Sequence, residues 1–281
     1  MMRSLYAGIT GLRNHQIRMD VIGNNISNVN TVGFKSSRVV FQDIYSQTLS
    51  PSSGSTATIG GTNPKQIGLG AMLATVDVLH TSTASQYTGA PLDLSIEGDG
   101  FFVLSIGGQT VYSRAGNFYT DGDSFLVNSN GAFVQGYPID NNGVPNTTGP
   151  LENIILSENY YDITIDSTGA VVGLEKGSVG GGTNEKVVIG QIAVATFSNQ
   201  NALEKVGQNS YRNTINSGVA VIHIPGEDGA GTLNPGTLEM SNVDLASEFT
   251  DMIVTQRGFQ ANSRIITTTD AMLEELVNLK R

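Results

Sequence analysis

The sequence predicts an α+β fold, in which helices at the two ends of the chain pair as a coiled coil and an all-β domain is inserted between them. Three observations support this fold. Apolar residues recur every seven positions at both ends, a spacing typical of paired helices. Apolar and polar residues alternate through the middle of the chain, as they do in half-buried strands. Turn-forming Gly, Asn and Asp pairs separate the alternating segments.

The first helix is predicted from a seven-residue repeat near the amino terminus. Its apolar positions are Leu5, Leu12, Met19 and Ile26, with Ile9 between the first two. Charged and amide side chains interrupt this stretch, so it lacks the continuous apolar run of a signal peptide or a transmembrane helix. We therefore expect that any route out of the cytoplasm does not use a cleaved leader.

The run GNNISNVNTVGFK at residues 23–35 predicts the end of this helix and a tight connection. Asn and Gly tolerate left-handed backbone and hydrogen-bond to nearby main chain. We expect the connection to turn Phe34 into an apolar contact. A weaker helical pattern over residues 36–49 predicts a short helix, and residues 50–64, rich in Ser, Gly and Thr, predict a linker.

Strands are predicted from Met72 to about Leu238. Alternating or apolar segments occur at residues 74–79, 92–97, 163–165, 187–189 and 191–197. The turn signals between them are Gly98-Asp99-Gly100, Asp121-Gly122, Asn130-Gly131 and Asn142-Gly143. Residues 177–182 predict a flexible loop tip within this β domain.

The second helix is predicted from about Val243 to Lys280, roughly 55 Å at 1.5 Å per residue. Its seam consists of Leu245, Met252, Phe259, Ile266 and Leu273, with Phe249 and Val277 on the second position. Polar residues fill the other second positions, which is typical of seams that specify register. Ser241 or Asn242 is the predicted amino-terminal cap. A single amphipathic helix lying across its own domain is the alternative.

Composition excludes several classes of protein. The 281 residues contain no cysteine and carry a formal net charge of −10, so we expect no disulfide framework or thiolate metal site and no nucleic acid as the main partner. The charge is uneven: residues 1–40 carry five basic and one acidic side chain, and residues 41–240 carry six and eighteen. The two ends could attract each other, or each could be solvated independently.

Chemistry-bearing residues do not form a catalytic or cofactor-binding motif. His15, His80 and His223 are far apart in the sequence, so we expect no metal site and no enzyme. The loop near Asp121 lacks the ligand pattern of a calcium site, and the Gly pairs lack the third glycine of a dinucleotide loop. We expect no cofactor. A β domain that recognises a peptide or sugar is a further alternative, although an aromatic cluster is not evident in the sequence.

The two ends of the chain together resemble the bacterial flagellar rod and hook proteins. The resemblance rests on residues 23–35, on Ser241-Asn242-Val243-Asp244-Leu245, and on the segment from Met252 to Leu279. Residues 92–102 and 112–118 also resemble β segments of that family. The resemblance implies a structural subunit whose terminal helices form an inner coiled-coil domain around an export channel and carry β domains outward.

The same resemblance implies the domains, partners and location. It assigns residues 1–35 and 239–281 to the inner domain, 36–71 to a connector and inter-subunit arm, and 72–238 to a β-rich outer domain. The implied partners are further copies of the chain, rod and hook–filament junction proteins, and the hook cap and type III export apparatus during assembly. Nucleic acid and membrane insertion are not expected. The implied location is the extracellular flagellum, in the hook or basal body.

Assembly is expected to bury the apolar seam. The residues predicted at this interface are Leu5, Ile9, Leu12, Met19, Ile26, Phe34, Leu245, Phe249, Met252, Phe259, Ile266, Leu273 and Val277. Residues 241–245 and 275–281, Gly136-Tyr137-Pro138 and residues 58–63 most resemble the short hook proteins of Gram-positive bacteria. This resemblance favours a hook subunit, a bendable joint that transmits torque from rod to filament. The chain length and the long 50–64 stretch are compatible with the alternative, a distal rod subunit that acts as a drive shaft.

Overall fold

The computed structural model describes residues 2–55, 60–140, 144–147, 149–157, 160–175 and 186–279. The predicted turn at Asn142-Gly143, the loop tip at 177–182, and Lys280 lie outside the described residues. The chain divides into two compact units. One contains residues 1–27, 37–79 and 243–281, and the other contains residues 28–36 and 80–242. Residues 28–36, which the resemblance assigned to the inner domain, thus belong to the same unit as most of the strands.

In the described part of the helical unit, the elements are two helices and four strands. The helices are α1 (Met2–Ser27) and α2 (Leu245–Asn278). The strands are β1 (Ser37–Asp43), β2 (Ser46–Ser50), β3 (Lys65–Gly68) and β4 (Ala71–Val78).

The two helices pack against each other in antiparallel orientation, because Gly8 lies beside Ile266 and Gly258 beside His15. The expected fold, helices from both chain ends flanking an inserted β domain, is confirmed. Helix α1 ends at Ser27, within the run at residues 23–35 that predicts the end of this helix, so that prediction is confirmed. The predicted amino-terminal cap of the second helix is wrong. The cap of α2 is Asp244, whose carboxylate accepts a 2.9 Å hydrogen bond from the Ala246 amide, rather than Ser241 or Asn242.

The short helix predicted over residues 36–49 is also wrong, since this segment forms β1 and β2. Strand β1 pairs antiparallel with β4, with a bulge between Val40 and Phe41. Its exposure alternates along the strand, and the β-branched and aromatic residues at 39–41 suit a pleated, half-buried surface. Strands β2 and β3 form a separate two-stranded ribbon, and a bridge between Ser53 and Thr62 extends it into the predicted linker.

The β unit contains the remaining strands. In chain order they are β5 (Ser85–Tyr87), β6 (Leu94–Glu97), β7 (Phe101–Ile106), β8 (Gln109–Ser113), β9 (Phe118–Thr120), β10 (Leu126–Asn128), β11 (Phe133–Tyr137), β12 (Glu152–Asn153), β13 (Tyr160–Ile165), β14 (Ala170–Glu175), β15 (Lys186–Ile192), β16 (Val194–Thr196), β17 (Glu204–Gly207), β18 (Ser210–Arg212), β19 (Val221–His223), β20 (Thr232–Pro235) and β21 (Thr237–Glu239). A 3-10 turn at Gln200–Ala202 precedes β17.

The main sheet of this unit has the strand order β13-β14-β15-β11-β7-β8-β18-β17, with five further strands attached at its middle. Strands β6 and β20 form one smaller pair, and β5 and β21 form another. One apolar cluster is built around Phe102, Leu104 and Leu126. A second contains Phe101, Phe197 and Tyr211. The predicted turns at Gly98–Gly100, Asp121–Gly122 and Asn130–Gly131 each lie between consecutive strands.

Candidate assembly site

Residues 28–36 form a connection that is hydrogen-bonded to several parts of the β unit. The Asn209 side chain donates to the Val32 carbonyl at 2.8 Å, and the Ser36 amide donates to Asn242 Oδ1 at 2.6 Å. The Lys205 ammonium donates to the Lys35 carbonyl at 3.3 Å and lies 5.1 Å from the centre of the Phe34 ring. Phe34 is buried within its own subunit, with the Lys205 ammonium over its ring, and its apolar contact stays a prediction.

Gly33 occupies a position in this connection that other residues cannot easily take. Its φ of +68° is left-handed, and a Cβ atom there would lie 2.6 Å from the Ala115 amide nitrogen. The Gly33 amide also donates to the Glu239 carbonyl at 2.9 Å. Gly33 therefore lies against the backbone of Arg114 and Ala115, and its hydrogen bond holds it beside the strand that ends at Glu239.

Three charged side chains, Lys35, Arg114 and Glu239, meet in the interior of the β unit. Their exposed fractions are 0%, 0% and 1%. Lys35 Nζ donates to Glu239 Oε1 at 2.6 Å, and Arg114 Nη1 donates to Glu239 Oε2 at 3.4 Å. One carboxylate thus compensates two buried cations. We call these three residues the charge cluster.

Backbone carbonyls provide the other acceptors for the two cations. Lys35 Nζ donates to the Thr81 carbonyl at 2.7 Å, and Arg114 Nη2 donates to the Gly98 carbonyl at 2.8 Å. Burial lowers the pKa of Lys35 and of Arg114, and Glu239 opposes the shift in both. Breaking such a pair on one side is expensive because it leaves an uncompensated buried charge.

His80 lies next to the charge cluster between two aromatic rings. Its ring centre is 5.4 Å from that of Phe101 and 5.5 Å from that of Tyr211. Both ring nitrogens are buried and have no hydrogen-bond partner among the described residues. Burial, followed by the charges of Arg114 and Lys35, lowers the pKa of His80 to about 4. Burial raises the pKa of Tyr211 to about 12. His80 is therefore neutral at physiological pH.

The contact between the two helices uses small and polar residues. A Cβ atom at Gly11 would lie 2.5 Å from Asn262 Nδ2, and one at Gly258 would lie 2.6 Å from the His15 ring, so both glycines are needed for close approach. At the other end, Asn25 donates to Glu248 Oε1 at 2.9 Å. Asn25 also exchanges two hydrogen bonds with the Ser37 backbone.

Charged and titratable groups also lie at this helix contact. Arg18 forms an ion pair with Asp251 at 3.1 Å. Burial, and then the Arg18 charge, lowers the pKa of His15. Burial is also the main cause of a raised pKa of Glu248. The contact is thus more polar than the predicted apolar seam.

The residues predicted at the assembly interface have several different environments. Ile9, Leu245, Phe249 and Val277 are exposed. Leu5, Leu12, Met19, Ile26, Met252, Phe259, Ile266 and Leu273 are partly buried. Phe34 is buried in the β unit, whereas the other residues of this predicted set lie on the two helices. Further apolar side chains on α2 are exposed at Ile253, Val254 and Met272.

Sequence reasoning missed the charge cluster and the polar residues of the helix contact. Lys35 lies in the segment 23–35 and Arg114 in the segment 112–118, both of which carry the family resemblance. Their common partner Glu239 is 204 residues from Lys35 and 125 from Arg114. A charged residue in an otherwise apolar segment, such as Arg114 after Val111 and Tyr112, was the available signal. The burial of Lys35, Arg114 and Glu239 indicates a structural role, in which they hold residues 33–36 and the end of β21 within the β unit.

In the described part of the chain, neither helix has a stretch apolar enough to cross a bilayer. Within the same residues, His, Asp and Glu side chains do not come together in groups of three or more that could hold a metal ion.

Three family models match this chain. The one described as "Flagella basal body rod protein" matches residues 5–35. "Flagellar hook protein FlgE/F/G D1 domain" matches residues 95–173, and "Flagellar basal body rod FlgEFG protein C-terminal" matches residues 234–279. The first and last of these segments contain the sequence signatures, and they include Lys35 and Glu239.

Curated relatives match over the whole chain. The flagellar basal-body rod protein FlgG of Bacillus subtilis is 50% identical over 100% of both chains. The flagellar hook protein FlgE of Borreliella burgdorferi is 33% identical over 100% of both chains, and the rod protein FlgG of Caulobacter vibrioides is 36% identical over 99% of this chain and 100% of its own. This chain therefore belongs to the flagellar rod and hook protein family, the structural axial components of the bacterial flagellum.

Proposed function

We propose that this chain is the distal rod subunit of the flagellar basal body, a structural protein that polymerises with copies of itself and serves as a drive shaft. The observation that carries the proposal is the match to the rod protein FlgG of Bacillus subtilis, at 50% identity over the full length of both chains. Rod proteins named FlgG from Borreliella burgdorferi and Caulobacter vibrioides also match at similar length.

The hook hypothesis that the sequence favoured has weaker support. The hook protein FlgE of Borreliella burgdorferi aligns over 441 positions, against 281 residues in this chain, so at least 160 of those positions have no counterpart here. Residues 241–245, which favoured the hook, lie within a match whose description names FlgE, FlgF and FlgG together. That signature therefore does not separate hook from rod.

The proposed assembly uses the helical unit. Helix α2 exposes Phe249, Ile253 and Val254, and apolar side chains left in water favour burial against another molecule. Neighbouring copies would cover these side chains, together with Ile9 on α1. The remaining proposed partners are the adjoining rod and hook proteins and the type III export apparatus that delivers the subunit.

The ribbon of β2 and β3 is the proposed inter-subunit arm. All four residues of β3 are exposed, and an isolated two-stranded ribbon is at best marginally stable in water. Contact with a neighbouring subunit would stabilise it. Removal of residues 50–64 should therefore weaken or soften the polymer, and a deletion variant with unchanged rod stability and stiffness would contradict the arm hypothesis.

Electron microscopy of basal bodies from a strain that lacks this chain tests the proposal. A distal rod subunit predicts rods that stop short. Complete rods that end without a hook would instead establish the hook function, and intact flagella would contradict both. Re-expression of the chain should restore full-length rods.

A further inference from the structure

A rigid turn of the β unit holds an apolar side chain in solvent. The turn comprises residues 214–219, and we call it the Ile215 knob. Ile215 is fully exposed at 105% of its reference area, and Val219 is 84% exposed, while Ser217 between them is completely buried. Single exposed apolar residues are common on protein surfaces, but here two of them flank one buried anchor.

Hydrogen bonds fix the shape of this turn. The Thr214 amide donates to Ser217 Oγ at 2.9 Å, and Ser217 Oγ donates to the Thr214 carbonyl at 2.8 Å. Thr214 Oγ1 donates to the Ala202 carbonyl at 2.7 Å, and the Asn199 side chain donates to the Asn216 carbonyl at 3.3 Å. An apolar group presented on a preorganised turn loses little conformational entropy when it binds.

A small pocket whose wall contains both polar and apolar groups lies elsewhere on the same unit. It has a volume of about 240 Å³ and is bordered by β11, β12 and β15. The apolar side chains that line it are Tyr137, Pro138, Ile139, Ile154, Ile155 and Ile189. We call it the Ile155 pocket. This volume is below the roughly 300–1,000 Å³ of sites for small-molecule ligands, so the pocket suits an inserted side chain better than a metabolite.

Each feature has one nearby side chain that can form an ion pair with the other feature. The pocket lining includes the exposed carboxylate of Glu152. The strand leading into the knob ends at Arg212, whose guanidinium is half exposed in an ion pair with Glu204. Opposite charges at the rims of two surfaces favour their encounter and fix their register. Exposed ion pairs of this kind are weak, so Arg212 can exchange its partner at small cost.

We propose that Ile215 of one copy of this chain inserts into the Ile155 pocket of a second copy. The proposal rests on the function proposed above, in which the chain is a homopolymer. Knob and pocket share no residues, so each copy can offer both at once. A contact between two different surfaces is heterologous, and such contacts build open helical assemblies when the rotation does not close.

The absence of cysteine from the chain permits a direct test. The double variant Ile215→Cys with Ile155→Cys is expressed in place of the native chain, and purified basal bodies are treated with a short bis-maleimide. We expect most of the variant chain to leave the monomer band and form a ladder of dimers, trimers and longer species on a denaturing gel. The matched control pairs Ile215→Cys with Tyr119→Cys, which is exposed and belongs to neither surface, and it should remain monomeric.

Two outcomes would overturn the proposal. One is a monomer band alone, in basal bodies that contain the double variant at the native amount. The other is equally strong dimer formation by Ile215→Cys alone, which would mean that the knob meets its own symmetry copy. Neither outcome affects the rod proposal, because the rods would still be present. Failure of the rod proposal is seen separately, as intact rods in the strain without the chain.

Discussion

Replacement of Glu239 by Gln should strongly destabilise the β unit. The carboxylate is 1% exposed and faces two cations that are themselves fully buried. Gln has the same shape, but it carries no charge and turns an NH₂ donor toward one of the two cations. Removal of one partner from a buried ion pair costs about 3–5 kcal/mol, and we expect the upper part of this range because two cations lose their compensation.

Urea unfolding of the full chain, followed by tyrosine fluorescence and circular dichroism, measures this loss. With a urea dependence of about 2 kcal/mol per molar, the midpoint of the β unit should fall by roughly 2 M. The matched control is Glu204→Gln, which removes the same charge from the half-exposed pair with Arg212. Exposed pairs contribute about 0–1 kcal/mol, so the midpoint of this control should barely move.

Lys35→Met separates the charge effect from a general loss of packing. This variant leaves Glu239 paired with Arg114, and it removes one buried cation together with its hydrogen bond to the Thr81 carbonyl. We expect a loss of about 1–3 kcal/mol, smaller than that of Glu239→Gln. The carboxylate of Glu239 does not have this role if Lys35→Met is the more destabilising variant, or if Glu239→Gln unfolds at the same urea concentration as the native chain.

Three further predictions concern the helices and the pH dependence. Phe249→Asp should abolish polymerisation seen by sedimentation while leaving the free energy of unfolding within about 0.5 kcal/mol of the native value, because the side chain is half exposed; a wild-type yield of polymer would remove Phe249 from the interface. Gly258→Leu should separate the helices, because the new side chain would overlap the His15 ring; Gln256→Leu, on an exposed position of the same helix, is the control, and circular dichroism should show a loss of helix only in the first variant. Since the pKa of His80 is lowered from 6.5 to about 4, the unfolded chain takes up the proton first, and the free energy of unfolding should fall as pH drops from about 6.5 to 4. His80→Phe should lose this part of the pH dependence. The prediction is contradicted if the urea midpoint, measured as its change from the value at pH 7, is the same for both proteins at every pH in that window.

The sequence predicted the helices and many strands because their signals are local. Periodicity and turn residues act over a few positions, and they located α2, β4 and the turns around β9–β11. The segment at residues 36–49 was misassigned because its apolar residues fit no clear period. The conformation of this segment is decided by the pairing of β1 with β4, whose partner residues are 28 to 41 positions away.

The helix contact illustrates a different limit of sequence patterns. The seven-residue repeat selects large apolar residues, but the buried positions of the two helices, within the described residues, are Gly8, Asn14, Ile22, Asn25, Thr255 and Thr269. Small side chains allow two helices to approach closely, whereas bulky ones hold them apart. Apolar residues such as Phe249 and Val277 therefore remain exposed in the single chain, where a repeat alone would place them in the seam.

The charge cluster decides where an autonomous β unit must begin and end. A fragment cut at the boundaries predicted from the sequence, residues 72 and 238, would lack both Lys35 and Glu239 and leave Arg114 buried without its carboxylate. The cost of an uncompensated buried charge would take up much of the 5–15 kcal/mol of stability typical of a domain. Residues 28–36 and 239–242 therefore belong to this unit for a physical reason, since they supply Lys35 and the Glu239 carboxylate that compensates Lys35 and Arg114. Within the described residues, apolar side chains such as Phe249 and Ile253 on α2 stay exposed, and this difference favours the helical surface over the charge cluster as the place where copies of the subunit meet.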